Sequence, residues 1–408
     1  MSLGELPAPR PSAASQETLD WLFGTQLFGI KLGLESIRRL FDALEVPGAA
    51  QRIIHVAGTN GKGSVCAMID SICRAAGYRT GLFTSPHLVT YRERIRVNGE
   101  LISAEAVTEG LTLIRELVRE WEPHPTFFEI TTALALWHFK RAGCELVVLE
   151  TGMGGRLDAT NAVRPVVSVL TPIGLDHQKW LGHTLVEIAR EKAGIIKRGV
   201  PVVSASQPAE AEAVLRQARE DVQWITSSYD GEIGLCGAHQ RANAALAVAA
   251  VRAAHINIPE RAITAGLTSV QWPARFQQWN DRTIIDGAHN PAGARVAVET
   301  WRQTFGNERA TLILGLMRDK DAAGMWRELS TIAARVILPH FRGERVLPPG
   351  ELHLLIDAET EIASDIGAAL RRAEEYAERV LIAGSLHLAG EALVHLSGTP
   401  AAFEECAQ

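Results

Sequence analysis

The 408-residue sequence is poor in cysteine and has no long apolar run. The five cysteines are an odd number, contain no CxxC pair and have no histidine at zinc-ligand spacing; they are Cys66, Cys73, Cys144, Cys236 and Cys406. This usage excludes a disulfide scaffold and favours reduced thiols in the cytosol. No run reaches about 18 apolar residues, so we expect no membrane span. Residues 1–16 lack the pattern of a signal peptide and predict a short loose tail, so we expect a cytoplasmic location.

The sequence also lacks an excess of positive charge. Lysine and arginine number 41 against 47 aspartate and glutamate, which gives a net charge of −6. This balance predicts no general attraction to nucleic acid or to anionic membranes, although it leaves room for a local basic pocket. The apolar share of 47% and the charged share of 22% exclude a disordered chain or a collagen. The length indicates two or three domains.

Short apolar runs alternate along the chain with segments of helical periodicity. This alternation predicts α/β domains, each with a mostly parallel sheet between layers of helices. We expect an N-terminal domain, residues 1–270, and a smaller α/β domain, residues 271–408, because the pattern pauses near Gln271–Arg275. The predicted strands are 52–57, 80–84, 146–150, 166–171, 283–286, 311–314, 335–338 and 380–383. The predicted helices are 17–44 in two pieces, 65–76, 104–120, 128–142, 184–197, 240–254, 291–304, 322–334 and 366–378.

The strongest local signal is the glycine-rich segment 58–64, between a predicted strand and a predicted helix. It consists of Gly58, Thr59, Asn60, Gly61, Lys62, Gly63 and Ser64. Such a loop can direct successive backbone N–H groups and a helix N-terminus at a phosphate. It departs from the Walker A pattern because the first glycine is closer and Gly63 precedes Ser64. The alternative is a plain glycine-rich turn with a surface lysine, but the strand–loop–helix context favours phosphate binding.

Other candidate residues follow predicted strands. Glu150 ends one strand and could support Mg²⁺ near the phosphate loop, although it could equally be a capping or ion-paired carboxylate. His177 by itself is more often a structural residue than a metal ligand, and nothing in the spacing of Lys192 sets it apart from a solvated helix lysine. Residues 286–291, Asp-Gly-Ala-His-Asn-Pro, could contact a ligand between the domains or could cap a helix, and both roles are compatible.

Taken together, these segments resemble the folylpolyglutamate synthase and bifunctional dihydrofolate synthase/folylpolyglutamate synthase family of the Mur-ligase superfamily. The matching strings, in chain order, are FGIKLGLESIRRL (28–40), HVAGTNGKGSV (55–65), FTSPHL (83–88), YRERIRVNG (91–99), FFEITTALA (127–135), VLETGMGGRLDATN (148–161), LDHQKWLG (175–182), EKAGIIK (191–197), HQRANAALA (239–247), ARFQ (274–277), DGAHNP (286–291) and GSLHLAGE (384–391). They span nearly the whole chain, which makes the resemblance specific.

The resemblance implies a fold and an activity. The fold is a P-loop domain like the central domain of Mur ligases, followed by a smaller Rossmann-like domain. The activity is ATP-dependent amide ligation: a pteroate or folate carboxylate takes the γ-phosphoryl group of ATP, and the amine of L-glutamate then displaces phosphate from the acyl phosphate. ATP and Mg²⁺, with two ions, are the implied cofactors, and a monovalent cation is an open question. The family also implies a monomer. The segment FFEITTALA favours the bifunctional form, which uses dihydropteroate as well as reduced folates.

The resemblance also implies residue roles. The ATP site comprises the loop Gly58 to Ser64 with Asn243, Arg275 and Asp286. The metal ligands are Ser64, Ser85, Glu150 and His177. The pterin site comprises Phe127, Phe128, Glu129, Ile130, Gly152, Met153 and Gly154. The glutamate site has His289 and Ser385. The implied catalytic set is Lys62, Lys192, His289 and Asp286, with Lys192 carried as its carbamate, N6-carboxylysine.

Two departures from the family pattern are local. Ala274 replaces the usual glycine before Arg-Phe, and His387 replaces a common tyrosine. Two other function classes are weighed against the folate ligase. A cell-wall Mur-type amino-acid ligase usually has an added N-terminal domain, for which the residues before the phosphate loop are too few. A non-catalytic nucleotide switch would have the phosphate loop without the second-domain motif DGAHNP.

Overall fold

The computed structural model describes residues 13–28, 33–48, 50–343, 345–399 and 404. Two sheets organise this part of the chain. The first has eight strands in the order β4-β3-β2-β5-β1-β6-β7-β8. These strands are β1 (Arg52–Ala57), β2 (Thr80–Phe83), β3 (Ile95–Val97), β4 (Glu100–Leu101), β5 (Leu146–Glu150), β6 (Val167–Leu170), β7 (Val202–Ala205) and β8 (Gln223–Ile225). All neighbouring pairs are parallel except β2–β3 and β3–β4, which form an antiparallel edge.

In the described part of the chain, ten α-helices accompany the first sheet. They are α1 (Ala13–Gly24), α2 (Glu35–Leu44), α3 (Lys62–Ala75), α4 (Ala104–Val118), α5 (Phe127–Arg141), α6 (Gln178–Leu181), α7 (Leu185–Ala193), α8 (Ala209–Ala218), α9 (Ala238–Ala253) and α10 (Glu260–Ser269). Strand β5 shows why helices cover both faces. Val147 and Leu149 pack into a cluster that includes residues of α4 and α5, whereas Leu146 and Val148 pack with residues of α3 and α9. Alternate residues of a strand point to opposite faces, so an uninterrupted apolar run requires two covers.

The second sheet has six strands in the order β13-β12-β11-β14-β10-β9. They are β9 (Gln277–Gln278), β10 (Thr283–Ile285), β11 (Ala310–Leu314), β12 (Ala333–Pro339), β13 (Thr360–Ala363) and β14 (Arg379–Ala383). Only the pair β9–β10 is antiparallel. The helices are α11 (Pro291–Phe305), α12 (Ala322–Leu329), α13 (Pro349–Leu355), α14 (Ile366–Glu374) and α15 (Leu386–Leu396). The fold class predicted from the sequence, two mostly parallel α/β sheets, is therefore confirmed.

Most predicted elements agree with the structure to within a few residues, and three predicted helices are too long. One of them, predicted over 366–378, ends at Glu374. The helix predicted over 184–197 ends at Ala193, before a glycine, and the helix predicted over 322–334 ends at Leu329 because β12 already begins at Ala333. The predicted boundary at residue 271 falls in the segment 270–276, which joins α10 to β9. It remains a prediction as a domain limit.

The remaining expectations from the sequence concern the termini, the cysteines and membrane-spanning helices. Helix α1 begins at Ala13, inside the predicted tail. Residues 1–12, Cys406 and residues 29–32 of the helix break predicted at 28–33 lie outside the described residues. Cys66, Cys73 and Cys144 are buried free thiols. Within the described residues, no helix is both long and apolar enough to cross a membrane.

Candidate active site

The phosphate loop joins β1 to α3 in a conformation that only glycine fits. Gly58 has a φ of +148°, and a Cβ there would lie 1.9 Å from Thr171 Oγ1. Gly61 precedes α3 with a φ of +85°, and a Cβ there would approach Asn243 Oδ1 to 2.9 Å. The backbone N–H groups of Thr59 and Asn60 donate to the Pro172 carbonyl at 2.9 and 3.2 Å, which ties the loop to the end of β6. The N-terminus of α3 is thereby held ready to bind an anion.

A buried lysine donates a hydrogen bond to the backbone of the phosphate loop. The Lys192 ammonium of α7 donates to the Gly58 carbonyl at 2.8 Å and is only 4% exposed. Burial, and then the charge of Lys62, lower the pKa of Lys192 to about 7. A lysine in such a place exchanges its proton near neutral pH, unlike the solvated helix lysine that its spacing also allowed. Lys62 itself donates to the Thr59 carbonyl at 3.3 Å.

Glu150 and Ser85 meet at the ends of β5 and β2. The Ser85 backbone N–H donates to Glu150 Oε2 at 3.1 Å, and Glu150 is 4% exposed. Burial raises the pKa of Glu150, while Lys62 and Arg275 oppose that rise. No lysine or arginine within the described ranges lies at ion-pair distance from Glu150. A buried carboxylate without an ion pair at the mouth of a phosphate loop is suited to a divalent cation.

The other predicted metal ligands lie around the same loop. Ser64 is buried in the first turn of α3, where its Oγ accepts from Gln240 Nε2 at 3.3 Å. His177 directly precedes α6 and has a φ of +51°. Desolvation lowers the pKa of His177 to about 4, and the charges of Lys320, Lys62 and Lys192 act in the same direction. Its imidazole is therefore neutral at pH 7, the form that a metal ligand requires.

The two predicted pterin segments meet at an aromatic ring. Gly152 packs against Phe128 so closely that a Cβ would lie 2.5 Å from the ring. The ring of Phe127 stacks on Phe23 with centroids 5.8 Å apart. Glu129 has a capping role: its Oε2 accepts from the Thr126 N–H and hydroxyl at 2.8 Å each. The family resemblance placed this carboxylate in the pterin site, and its role as a helix cap was not predicted.

The rest of the predicted pterin set is held by packing and by one further carboxylate. Ile130 is fully buried, so the structure gives it a packing role. Gly154, with a φ of +71°, closely approaches Leu181. The Met153 N–H donates to Asp158 Oδ2 at 2.9 Å, and Asp158 also accepts from the Thr160 N–H at 3.0 Å. Asp158 thus fixes the glycine-rich loop, a role that its place in the string VLETGMGGRLDATN did not reveal.

The predicted nucleotide contacts come from both sheets. Asn243 of α9 lies against Gly61 and donates to Gln240 Oε1 at 3.0 Å. Asp286 follows β10 and accepts from the N–H groups of Phe276 and Ala288 at 2.7 and 2.8 Å. Arg275 lines one cleft together with Glu150 and Leu386, so this arginine lies between the two halves of the site.

His289 and Ser385 lie on adjoining loops of the second sheet. The Gly384 N–H donates to the Ala288 carbonyl at 2.9 Å, which joins the loops after β10 and β14. His289 Nδ1 lies 2.9 Å from the Gly287 carbonyl. Ser385 caps α15 by accepting from the His387 N–H at 3.1 Å. Asn290 caps α11 through the Gly293 N–H at 2.8 Å, so the capping alternative for DGAHNP is confirmed.

A polar junction between the sheets contains residues that sequence reasoning missed. Asn290 Nδ2 donates to Asn60 Oδ1 of the phosphate loop at 3.0 Å and to Asp176 Oδ2 at 3.3 Å. The Lys320 ammonium donates to Asp176 Oδ1 at 2.8 Å. Asp176 could have been identified from the sequence because it is adjacent to the candidate residue His177. Lys320 is 144 positions away from Asp176, and nothing in the sequence indicated it.

A two-domain site with a phosphate loop, a buried carboxylate and a junction between the sheets is the arrangement of a nucleotide-dependent ligase rather than of a simple switch. The Mur ligase middle domain family matches residues 56–230, and the Mur ligase glutamate ligase domain family matches residues 274–386. The two matched domain families therefore follow one another along the chain, one for each of the two sheets.

Similar proteins narrow the class further. The chain is 35% identical over 426 residues to the dihydrofolate synthase/folylpolyglutamate synthase of Bacillus subtilis, with 92% of this chain and 97% of that protein covered. It superposes on Escherichia coli FolC in complex with DHPP and ADP with a TM-score of 0.85 at 31% identity, covering 96% of this chain and 99% of the other. The Yersinia pestis bifunctional enzyme complexed with AMPPNP and Mn gives a TM-score of 0.84 at 31% identity, over 96% and 100% of the two chains.

The chain belongs to the dihydrofolate synthase/folylpolyglutamate synthase family of the Mur ligases. It is an ATP-dependent glutamate ligase, and these findings support neither a cell-wall ligase nor a nucleotide switch. The family resemblance inferred from the sequence strings is thus confirmed.

Proposed function

We propose that this ligase joins L-glutamate both to dihydropteroate and to reduced folates. An acceptor carboxylate oxygen attacks the γ-phosphorus of ATP, and ADP leaves with the electrons of the broken bond. The glutamate nitrogen then attacks the acyl carbon, and the tetrahedral intermediate expels phosphate while the nitrogen loses a proton. Phosphorylation is needed because a carboxylate is a poor electrophile. The protein's task is mainly to position the groups and to neutralise phosphate charge.

The observation that carries this proposal is one cleft lined from both sheets. Its walls include Gly63 of the phosphate loop, Ser85 and Glu150, and from beyond the first sheet Arg275 and Leu386. The N-terminus of α3 thus faces second-domain residues, which is what a transfer from ATP to a substrate bound between the domains requires. The relatives crystallised with ADP or AMPPNP support ATP as the nucleotide.

A divalent metal fits the donor set of the cleft, and we propose Mg²⁺, with a second ion beside Lys192. Ser64, Ser85, Glu150 and His177 would hold the first ion, which when bound supplies positive charge to the phosphates. The fit depends on the buried carboxylate of Glu150, which has no ion-pair partner among the described residues. Within the described ranges, no three carboxylate, histidine or cysteine side chains gather into a complete metal-binding cage. Such an open set leaves coordination positions for phosphate oxygens and water, as Mg²⁺ prefers.

Lys192 is proposed to carry a carbamate. The ammonium first loses one proton, and the neutral amine then adds to CO₂, forming a new N–C bond and releasing a second proton, so that overall a cation becomes an anion. The reaction requires the unprotonated amine, and the pKa of about 7 supplies it near neutral pH. The carbamate would lie beside the Gly58 carbonyl and Lys62, where it could support the second ion.

Substrate positions follow from the same geometry. The ring of Phe128 against Gly152 offers an apolar face to a pterin, with Phe127, Met153 and Gly154 close in the chain. His289 and Ser385, on adjoining loops across the cleft, are proposed to receive glutamate. Asp286, Arg275 and Asn243 are proposed to contact the nucleotide. A monomeric state remains a prediction, and a requirement for a monovalent cation remains an open question.

Glutamate-dependent phosphate release tests the proposal. The purified protein is given ATP and Mg²⁺ with either dihydropteroate or tetrahydrofolate, and mass spectrometry detects an added glutamyl unit. Activity with both acceptors is expected. Activity with tetrahydrofolate alone would limit the enzyme to polyglutamylation, and no product with either acceptor, while ATP still binds, would overturn the substrate assignment.

A further inference from the structure

The junction between the two sheets contains a buried ion pair to which neither the proposed chemistry nor the resemblance gives a role. Asp176 lies in the loop after β6, and Lys320 lies in the loop between β11 and α12. Their side chains are 8% and 10% exposed, and Lys320 Nζ lies 2.8 Å from Asp176 Oδ1. Asp319 also lies 3.4 Å from this ammonium but is 45% exposed. The pair therefore joins the two domains at a desolvated point.

Asp176 is the centre of the junction because three second-domain side chains converge on it. Besides Lys320, Asn290 Nδ2 donates to Asp176 Oδ2 at 3.3 Å and His289 Nε2 lies 3.6 Å from the same oxygen. Asp176 is thus paired with Lys320 at a desolvated point, and without Lys320 its carboxylate would be a buried charge with weaker compensation.

The loop that carries Lys320 is held by backbone hydrogen bonds and by a helix cap. The Lys320 N–H donates to the Met317 carbonyl at 3.1 Å, and Met317 forms an isolated bridge with Val346. The next residue, Asp321, caps α12 by accepting from the Gly324 N–H at 2.8 Å. Because this loop is held in place, the position of the Lys320 ammonium depends on the position of the second domain as a whole.

On the other side, the junction reaches the phosphate loop directly. Asn290 exchanges hydrogen bonds with Asn60 at 3.0 and 3.4 Å. Thr59 is tied to Gly174 at 3.0 Å, two residues before Asp176. Lys320, Asp176, Asn290 and the phosphate loop thus form one continuous polar chain.

We propose that Lys320 is a positioning residue for the ligation reaction: its ion pair with Asp176 holds His289 and Asn290 against the phosphate loop when the domains are closed. This inference rests on the proposed function. It contrasts with a role in stability alone, because the pair connects two domains that each have their own core. Loss of Lys320 should therefore alter domain closure and turnover more than the folding of either domain.

The test is the variant Lys320→Met, with Lys320→Arg as the conservative rescue. We expect Lys320→Met to lower kcat by about 100-fold, as a misplacement of reacting groups does, with the KM for ATP changed by less than about threefold. Lys320→Arg keeps the charge and should recover most of kcat. Lys140→Met is the matched control, because Lys140 pairs with the exposed Glu45 on the surface and should change kcat by less than about twofold.

Two further measurements separate positioning from simple destabilisation. Small-angle scattering with AMPPNP should show a larger radius of gyration for Lys320→Met than for the parent protein, and thermal unfolding should show both variants folded. Asp176→Asn should lower kcat, and the double variant Asp176→Asn/Lys320→Met should be no slower than the slower single variant. Additive losses, or a Lys320→Met variant with parental kcat and compaction, would overturn the inference.

The two proposals fail in distinguishable ways. If the parent protein forms no glutamyl product, the proposed function fails, and the scattering comparison still decides whether Lys320 controls closure. If the parent protein is active and Lys320→Met is equally active, only the positioning role is rejected. If Lys320→Met does not fold while Lys320→Arg folds with normal activity, the residue is structural and the inference is likewise rejected.

Discussion

The two halves of the active site are built by different means. On the first sheet, Glu150 and Lys192 are buried, the phosphate loop is partly buried, and all three are held largely by hydrogen bonds that involve the backbone near the ends of β1, β5 and β6. On the second sheet, His289, Asn290 and Lys320 reach the site by side-chain contacts across the gap between the domains. Burial shifts the proton affinities of Lys192 and Glu150 in the first half. The first half is thus prepared for chemistry and the second for alignment.

The sharpest way to break this comparison is to remove the phosphate-loop cation. Lys62→Met should lower kcat by about 100- to 1,000-fold, because a preorganised positive charge on the transferring phosphoryl group is lost. Initial rates of phosphate release measure the effect. Lys140→Met, a surface lysine in an exposed ion pair, is again the control. A loss of less than tenfold in Lys62→Met would contradict the assignment of Lys62 to the phosphates.

The carbamate on Lys192 gives the next largest effect and has a definite pH dependence. Because the pKa is about 7, roughly a tenth of the amine is neutral at pH 6 and roughly nine tenths at pH 8, so carbamate occupancy should rise over this interval. A ¹³C NMR signal from ¹³C-labelled bicarbonate measures it, and Lys192→Met should abolish the signal. Activity in CO₂-free buffer should fall by about tenfold and recover when bicarbonate is added. A signal that persists in Lys192→Met would place the carbamate elsewhere.

Lys192 also links the first half of the site to stability. The folded pKa of about 7 lies below the ordinary lysine value of 10.5, so the unfolded chain binds more protons between these values. The free energy of unfolding should therefore rise with pH from about 7 to about 10.5 through this group, and below pH 7 its contribution should be constant. Urea unfolding of the parent protein and of Lys192→Met at pH 7 and pH 9, both without bicarbonate, isolates the difference. An equal pH dependence in the two proteins would contradict a lowered pKa.

A moderate effect is expected from the second half. Asp286→Asn keeps the size of the side chain but removes the charge that accepts from Phe276 and Ala288 and faces Arg275. Hydrogen bonds to a charged group are worth about 1.5–3 kcal/mol, so the KM for ATP should rise by about ten- to a hundredfold. Steady-state kinetics measure the change, with the exposed Asp357→Asn as control. A normal KM for ATP in Asp286→Asn would remove this aspartate from the nucleotide site.

The same division explains how far the sequence could lead. The phosphate loop, Glu150 and the strands around them were predictable, because each lies in a contiguous segment whose local sequence pattern directly indicates a structure. The pairing of Asp176 with Lys320 was not, because a cross-domain ion pair leaves no periodicity and its partners are far apart in the chain. The ends of α7 and α12 were overestimated, since the helical period continues in the sequence past the residue where tertiary packing ends the helix. Glu129 was assigned to the pterin site by the family resemblance alone, and its place in a capping box was not predicted.

The smallest expected effect comes from substituting Ala274, which lies in the segment that connects the two halves of the site. Ala274 is fully buried with a φ of +54°, where the family usually has glycine. The left-handed conformation costs an alanine about 1–2 kcal/mol. Replacement by glycine would lose about 0.8 kcal/mol of methyl burial and about 0.4–1 kcal/mol through the freer unfolded chain.

These opposing contributions nearly cancel, so Ala274→Gly should change the free energy of unfolding by less than about 1 kcal/mol. Ala274→Val should be clearly destabilising, because a β-branched residue is a genuine outlier at positive φ. Urea unfolding of the two variants beside the parent protein decides the point. If Ala274→Gly proves as damaging as Ala274→Val, the methyl group is required for packing at this connection, and the conformational argument for the family's glycine does not hold in this chain.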